Sequence, residues 1–192
     1  VEKILDDQLV FDGIPVHMRV DRIDRNAEDG RVRVIDYKTG KTSLDPRNAH
    51  LRVWSEAKHP RPLGPLCVVK PSGRKESYCC WTDLQLPLYA AAVQAVGKLA
   101  APPEACYVLM PEAVGETRFA VFENLSDKVE NALEWAKEAT RRIRDGVFLP
   151  PAPEVKYDDL LAIAPEGLLP ALGEEWQMLL NGNATFKGDT AP

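Results

Sequence analysis

The chain has 192 residues, of which 45% are hydrophobic and 28% charged, enough for one domain with a real core and an appended segment. Its formal net charge of −5 argues against a protein that grips nucleic acid tightly on its own, because such affinity comes largely from phosphate neutralisation. No apolar run approaches the roughly 20 residues needed to span a membrane, and no secretory signal is visible, so Cys67, Cys79, Cys80 and Cys106 are expected as reduced thiols in the cytoplasm.

Residues 8–25 read as strand, turn and strand, with Gly13-Ile14-Pro15 breaking the first run. The connector Arg25-Asn26-Ala27-Glu28-Asp29-Gly30 is polar and ends in Asp-Gly, a hairpin signal. Residues 31–38 then form the central strand. On it Asp36 and Lys38 share a face about 6–7 Å apart, and pairing across the hairpin brings Asp21 near Asp36. Asp24 lies three residues past Asp21 and so faces the other way, where Arg22 and Arg25 make a surface ion pair the expected arrangement. Residues 41–80 are punctuated by Pro46, Pro60, Pro62, Pro65 and Pro71 and read as an irregular insertion with a short hairpin. His50 and His59 fall there and are expected to be solvated.

A helix is expected over 82–98, with Thr82 as N-cap, Gln85 at the third helical position and Pro87 in the opening turns. Gln85 and Tyr89 are four apart and share one helix face. Residues 104–110 read as a buried strand and 117–122 as its neighbour. Ser126 begins a helix running to Asp145, with Val129, Ala132, Ala136, Ala139 and Ile143 on its apolar face. Arg141, Arg142 and Arg144 followed by Gly146 suit its carboxyl end. Past Pro150 come a proline-rich stretch and a short helix near 167–180 containing Trp176.

Two carboxylates and an ammonium on one patch suit a divalent cation, a water and a phosphate ester. A cross-face ion pair on an exposed sheet is the simpler account of Asp36 and Lys38 alone. The wider pattern adds to it. Val20-Asp21-Arg22-Ile23-Asp24, then Ile35-Asp36-Tyr37-Lys38-Thr39-Gly40, then Asp83-Leu84-Gln85-Leu86-Pro87-Leu88-Tyr89, resembles the PD-(D/E)xK nuclease superfamily, over about residues 8–150. The likeness is nearest to the RecB/AddB-type exonuclease domain.

The resemblance implies an α/β fold with a restriction-endonuclease-like core, a central mixed β-sheet flanked by α-helices. It implies that residues 1–150 form the nuclease core, with 41–80 inserted, and that 151–192 pack on that core or on a missing partner domain. Asp21 and Asp36 match the metal-binding acids, the backbone carbonyl of Tyr37 a third ligand, Lys38 the active-site lysine, and Gln85 and Tyr89 the helical Q-x-x-x-Y motif. Mg²⁺ or Mn²⁺ is the implied cofactor, held by one or two carboxylates and substrate phosphate. No cysteine follows Cys106 and Cys79-Cys80 would point to opposite faces, so no iron–sulfur cluster is expected.

Two departures stand out. Met18 occupies a position that is usually glycine, and the helix that carries a histidine or glutamate upstream is expected to precede Val1, so that the sequence reads as a fragment. The implied activity is metal-dependent hydrolysis of DNA phosphodiesters in repair or recombination, alongside a helicase-like region of this chain or a partner. The acidic net charge fits a module that another part holds on DNA, and Arg61, Lys70, Arg74 and Lys75 are placed to touch the DNA backbone. Lys38 is expected to act by electrostatic positioning, because the neighbouring carboxylate and phosphate favour its charged form. The alternative is a catalytically silent relative that uses the same fold for DNA binding or assembly. A third is an unrelated sheet protein with a chance triad.

Overall fold

The computed structural model describes residues 3–40, 43–55, 63–69, 76–112 and 114–147. Residues 1–141 form one compact unit and 142–192 another, and the site lies wholly within the first. The expected helix near 167–180, the Trp176 side chain and the 151–192 extension lie outside the described residues, as do His59, Arg61, Lys70, Arg74 and Lys75.

The chain opens with β1 (Lys3–Ile4), β2 (Val10–Phe11), β3 (Ile14–Pro15) and β4 (Arg19–Val20). Asp12 and Gly13, both at positive φ, turn β2 into β3, and β1 pairs antiparallel with β4. β5 (Arg22–Arg25) and β6 (Val32–Thr39) form the expected hairpin. Its turn is self-bracing: Asn26 Oδ1 accepts from Glu28 N, the Asn26 carbonyl from Gly30 N, and Gly30 takes φ of 72°, which a side chain would resist.

The chain continues through α1 (Pro46–His50), β7 (Leu51–Val53), β8 (Cys67–Val69), β9 (Ser77–Trp81), α2 (Gln85–Gly97), β10 (Glu104–Met110), β11 (Arg118–Val121) and α3 (Val129–Arg144). The main sheet has the order β11-β10-β6-β5, with β10 parallel to β6 and the outer pairings antiparallel. The fold is thus mixed α/β, a mixed central sheet flanked by helices. Because β10 is covered on both faces, Ala105 to Leu109 are all buried and read as an unbroken apolar run. Val34, Ala105, Tyr107 and Leu109 pack with Leu86, Tyr89, Ala90 and Val93 of α2, whereas Ile35, Cys106 and Val108 form a second cluster on the opposite face.

The described parts of the 41–80 segment are more regular than the sequence suggests. α1 leads into β7, and β7-β9-β8 make a three-stranded antiparallel sheet. Pro46 is not a breaker here but the opening residue of α1, where its missing N–H costs nothing, and Asp45 Oδ1 caps the helix through Arg47 N at 2.9 Å. β9 escapes detection because Cys79, Cys80 and Trp81 are all buried, which erases the alternation of a half-exposed strand. This sheet is tied to α3: Trp81 Nε1 donates to Asn131 Oδ1 at 2.8 Å, and Trp135 Nε1 to the Pro65 carbonyl at 2.7 Å.

α2 begins later than expected. Thr82 is not its cap; the Thr82 hydroxyl donates to the Ala49 carbonyl, and Asp83 Oδ1 accepts from Gln85 N at 2.7 Å instead. Pro87 then stands at the third helical position, where the N–H has no intrahelical partner in any case. At the other end Lys98, not Gly97, takes the left-handed conformation, with φ of 48°.

A 3₁₀ turn over Ser126–Lys128 precedes α3, which buries Val129, Ala132, Trp135, Ala136 and Thr140. Ile143, expected on that face, is exposed. Gly146 ends the helix at φ of 67°, with its N–H bonded to the Ile143 carbonyl and that of Val147 to the Arg142 carbonyl.

Trp81→Ala should lower stability by about 3–5 kcal/mol through the cavity it leaves, seen as a lower urea midpoint. Asn131→Ala, which leaves the indole N–H without its acceptor and also removes the Asn131 Nδ2 bond to the Pro65 carbonyl, should cost about 1–3 kcal/mol. Equal costs would show that the indole is not packed as described.

Candidate active site

The carboxyl-terminal half of β6 carries the charged residues. Val34 on its α2-facing side is fully buried, so Asp36 and Lys38, on the same side, project toward the beginning of α2. The β5–β6 register ends with Arg22 opposite Ile35, which sets Asp21 against Asp36. Asp21 Oδ2 accepts a hydrogen bond from Tyr37 N at 2.9 Å. The hairpin has therefore brought together three groups that lie up to 17 positions apart.

Asp36 is the unusual member. Its side chain is 6% exposed, and Lys38 Nζ stands 2.7 Å from Oδ2. The two form a close ion pair, and Oδ2 has no other partner among the described residues. Burial pushes this carboxyl above the ordinary aspartate range. Lys38 pulls it down, and the charges of Asp21 and Asp83 push it further up. Desolvation wins over the ion pair.

Gln85 and Tyr89 complete the patch from above. Tyr89 is buried, and its hydroxyl donates to the Arg19 carbonyl at 2.7 Å while accepting from Gln85 Nε2 at 3.2 Å. That bond fixes the amide so that Gln85 Oε1 faces Lys38 Nζ at 3.4 Å. A continuous polar chain thus runs from the backbone beside Asp21, through Tyr89 and Gln85, to Lys38 and Asp36. The structure brings together all five side chains singled out from the sequence.

Asp24 stays outside the patch, paired with Arg22 Nε at 2.6 Å as expected from its parity. Met18, in the place of the usual glycine, is buried, and its carbonyl accepts from Leu5 N. His50 overturns its expectation. It is not solvated but fully buried, with Nε2 2.6 Å from Tyr107 Oη and Nδ1 2.8 Å from the Asp83 carbonyl. Nothing in its local sequence marks it, since only the return of β9 and the packing of β10 enclose it. Tyr107 was legible only as core. Its register partner on the parallel strand is Asp36, and Lys38 Nζ lies 4.9 Å from its ring centroid.

A divalent cation fits the donors present. Asp36 offers a buried carboxylate oxygen that meets only the Lys38 ammonium among the described residues, and Asp21 Oδ1 accepts no hydrogen bond there. Among those residues no group of three or more His, Cys, Asp or Glu is placed to hold a metal, so an all-side-chain site of the zinc type is not what these residues build. Two carboxylates suit a hard ion that keeps several waters.

A family model described as the PD-(D/E)XK nuclease superfamily matches residues 3–156. No curated protein and no solved structure matches the chain. Among the described residues no helix is long and apolar enough to cross a membrane.

The raised Asp36 carboxyl has a definite sign. Protonation is favoured by folding, so its stabilising contribution is present below the unfolded aspartate range, near pH 4, and is lost as pH rises through the higher folded value. In metal-free protein at neutral pH, Asp36→Asn should therefore melt higher than the parent. The difference should shrink as the pH is lowered toward about 4. A parent that is the more stable of the two at neutral pH in chelator would contradict this.

Proposed function

The chain belongs to the PD-(D/E)XK nuclease superfamily, whose members generally use divalent metals, and from this premise we propose that it is a Mg²⁺- or Mn²⁺-dependent deoxyribonuclease domain of the RecB/AddB type. The observation that carries the reading is the meeting of Asp21, Asp36, Lys38, Gln85 and Tyr89 on one patch, with a buried carboxylate oxygen whose one partner among the described residues is the Lys38 ammonium.

Asp21 and Asp36 are the proposed side-chain ligands. A residue in a strand sends its N–H and C=O toward the same neighbouring strand. Since Tyr37 N points at Asp21, the Tyr37 carbonyl emerges on that edge too, which supports it as a third ligand. Bound there, a divalent ion would act as Lewis acid and lower the pKa of a coordinated water.

The remaining work falls to the chain's own groups. Lys38 presents its ammonium where charge develops on the phosphoryl oxygens, and Gln85 Oε1 orients that ammonium from the α2 side. Tyr89 holds Gln85 and, through the Arg19 carbonyl, the backbone that leads into Asp21. The −5 net charge is the reason to assign the domain to a larger helicase–nuclease of repair or recombination, in which another part grips the DNA.

A silent scaffold on this fold has no physical use for a buried carboxylate that desolvation disfavours, so the burial of Asp36 weighs against that alternative.

Lys38→Ala should reduce Mn²⁺-dependent cleavage of linear DNA by about 10²–10³-fold, the scale of losing one preorganised charge donor. DNA affinity in a gel-shift assay should change little. Weaker binding with unchanged turnover of bound DNA would refute the role given to Lys38. A parent protein whose melting temperature and DNA cleavage are both indifferent to Mn²⁺ would refute the metal-dependent reading itself.

A further inference from the structure

We propose that His50, a residue of the inserted segment, is a positioning residue that holds Lys38 in place through two arms, one made by Tyr107 and the other by Asp83 and Gln85. The inference rests on the nuclease reading given above.

The imidazole's hydrogen-bond roles follow from its partners. A carbonyl oxygen only accepts, so Nδ1, 2.8 Å from the Asp83 carbonyl, must carry the ring proton. Burial lowers the tendency of His50 to take a second proton, which leaves Nε2 as an acceptor for the Tyr107 hydroxyl at 2.6 Å. Both ring nitrogens are thereby used, and His50 is held as a neutral crosspiece with no lone pair left for a metal. Its ring also stacks on Tyr107, with centroids 5.8 Å apart.

The first arm runs to β10. Tyr107 lies beside Asp36 in the parallel ladder, and its ring sits under the Lys38 ammonium, 4.9 Å from Nζ to the centroid. A ring held by its hydroxyl cannot tilt away from that ammonium. The second arm runs to α2. The Asp83 carbonyl precedes the first hydrogen-bonded turn of α2, which starts with Leu88 N on the Leu84 carbonyl, so that oxygen is open to His50. Asp83 Oδ1 in turn caps Gln85 N at 2.7 Å, and Gln85 Oε1 reaches Lys38 Nζ at 3.4 Å.

His50 itself is anchored. Its carbonyl accepts from Thr82 N at 2.8 Å, and the Thr82 hydroxyl donates to the neighbouring Ala49 carbonyl at 3.2 Å. The single imidazole therefore joins the strand beneath Lys38 to the helix above it. In this way His50 connects the inserted segment to the site.

The test uses the full chain with His50→Ala, and with Tyr107→Phe as the variant that keeps the ring and removes only the hydroxyl. In both, kcat for Mn²⁺-dependent DNA cleavage should fall about 10–100-fold, as expected when a reacting group is misplaced by a fraction of an ångström to about one. KM for DNA and the Mn²⁺ concentration giving half-maximal thermal stabilisation should stay within about twofold, since neither arm carries a proposed metal ligand.

An independent readout is the Lys38 side-chain methylene resonance, assigned by its loss in Lys38→Arg. Ring-current displacement by Tyr107 should be present in the parent and collapse in His50→Ala. If kcat and this resonance are unchanged in both variants while only the melting temperature falls, His50 is a packing residue and the proposal is overturned. If the parent shows the displaced resonance but neither binds Mn²⁺ nor cleaves DNA, the nuclease reading fails while the placement of Lys38 by His50 stands.

Discussion

An ionised carboxylate held out of water beside another carboxylate is a costly thing to build, and the site is organised around that cost at Asp36. Its side chain is almost wholly buried, one of its oxygens has only the Lys38 ammonium for a partner among the described residues, and Asp21 adds a second negative charge. The Lys38 ammonium offsets part of this, yet desolvation still holds the carboxyl above its ordinary range. Folding alone does not reward such an arrangement. A cation that binds the folded state does, by mass action.

The elements nearest the site follow from the need to hold these charges still. A two-stranded hairpin places Asp21 against Asp36, and its register ends with the Tyr37 N–H turned onto the Asp21 carboxylate. A parallel strand brings an aromatic ring under Lys38. α2 starts where it does because Asp83 caps it and Pro87 is harmless at its third position, and this start puts Gln85 over the ammonium and Tyr89 over the Arg19 carbonyl. Lys38, Gln85 and Tyr89 are each held by two or more contacts, the condition under which an unfavourable local charge persists in a fold.

How much was legible follows from the range of the interactions concerned. The β5–β6 hairpin announces itself through Asp29-Gly30, and β10 through its unbroken apolar run, because turn chemistry and two-sided burial leave local marks. The five candidate side chains were legible from their spacing and from the likeness of three short segments to a known superfamily. Asp24 was correctly set apart by strand parity alone. The inserted segment was legible only in its short hairpin, which the antiparallel pairing of β8 and β9 matches. Its prolines suggested irregularity, yet Pro46 opens a helix and β9 is hidden by burial on both faces. Thr82 and Gln85 had the spacing of a capping box, but Asp83, one residue nearer, supplied the capping oxygen, and Thr82 was taken up by α1. His50 looked like any loop histidine, since the groups that enclose it come from 33 and 57 positions away.

What the sequence by itself determined is the chemistry on offer: two carboxylates and an amine on neighbouring strands, an amide and a phenol one helical turn apart, and the periodicities that make a mixed sheet with helices packed on it. Those are consequences of bonding within a few residues and of the alternation of faces. Only the tertiary structure decided that Asp36 would be buried, that Lys38 would lie between a tyrosine ring and a glutamine, and that a histidine from the inserted segment would reach towards both. Desolvation and hydrogen-bond satisfaction depend on what surrounds a group in space, and the surroundings here come from strands and helices far apart along the chain.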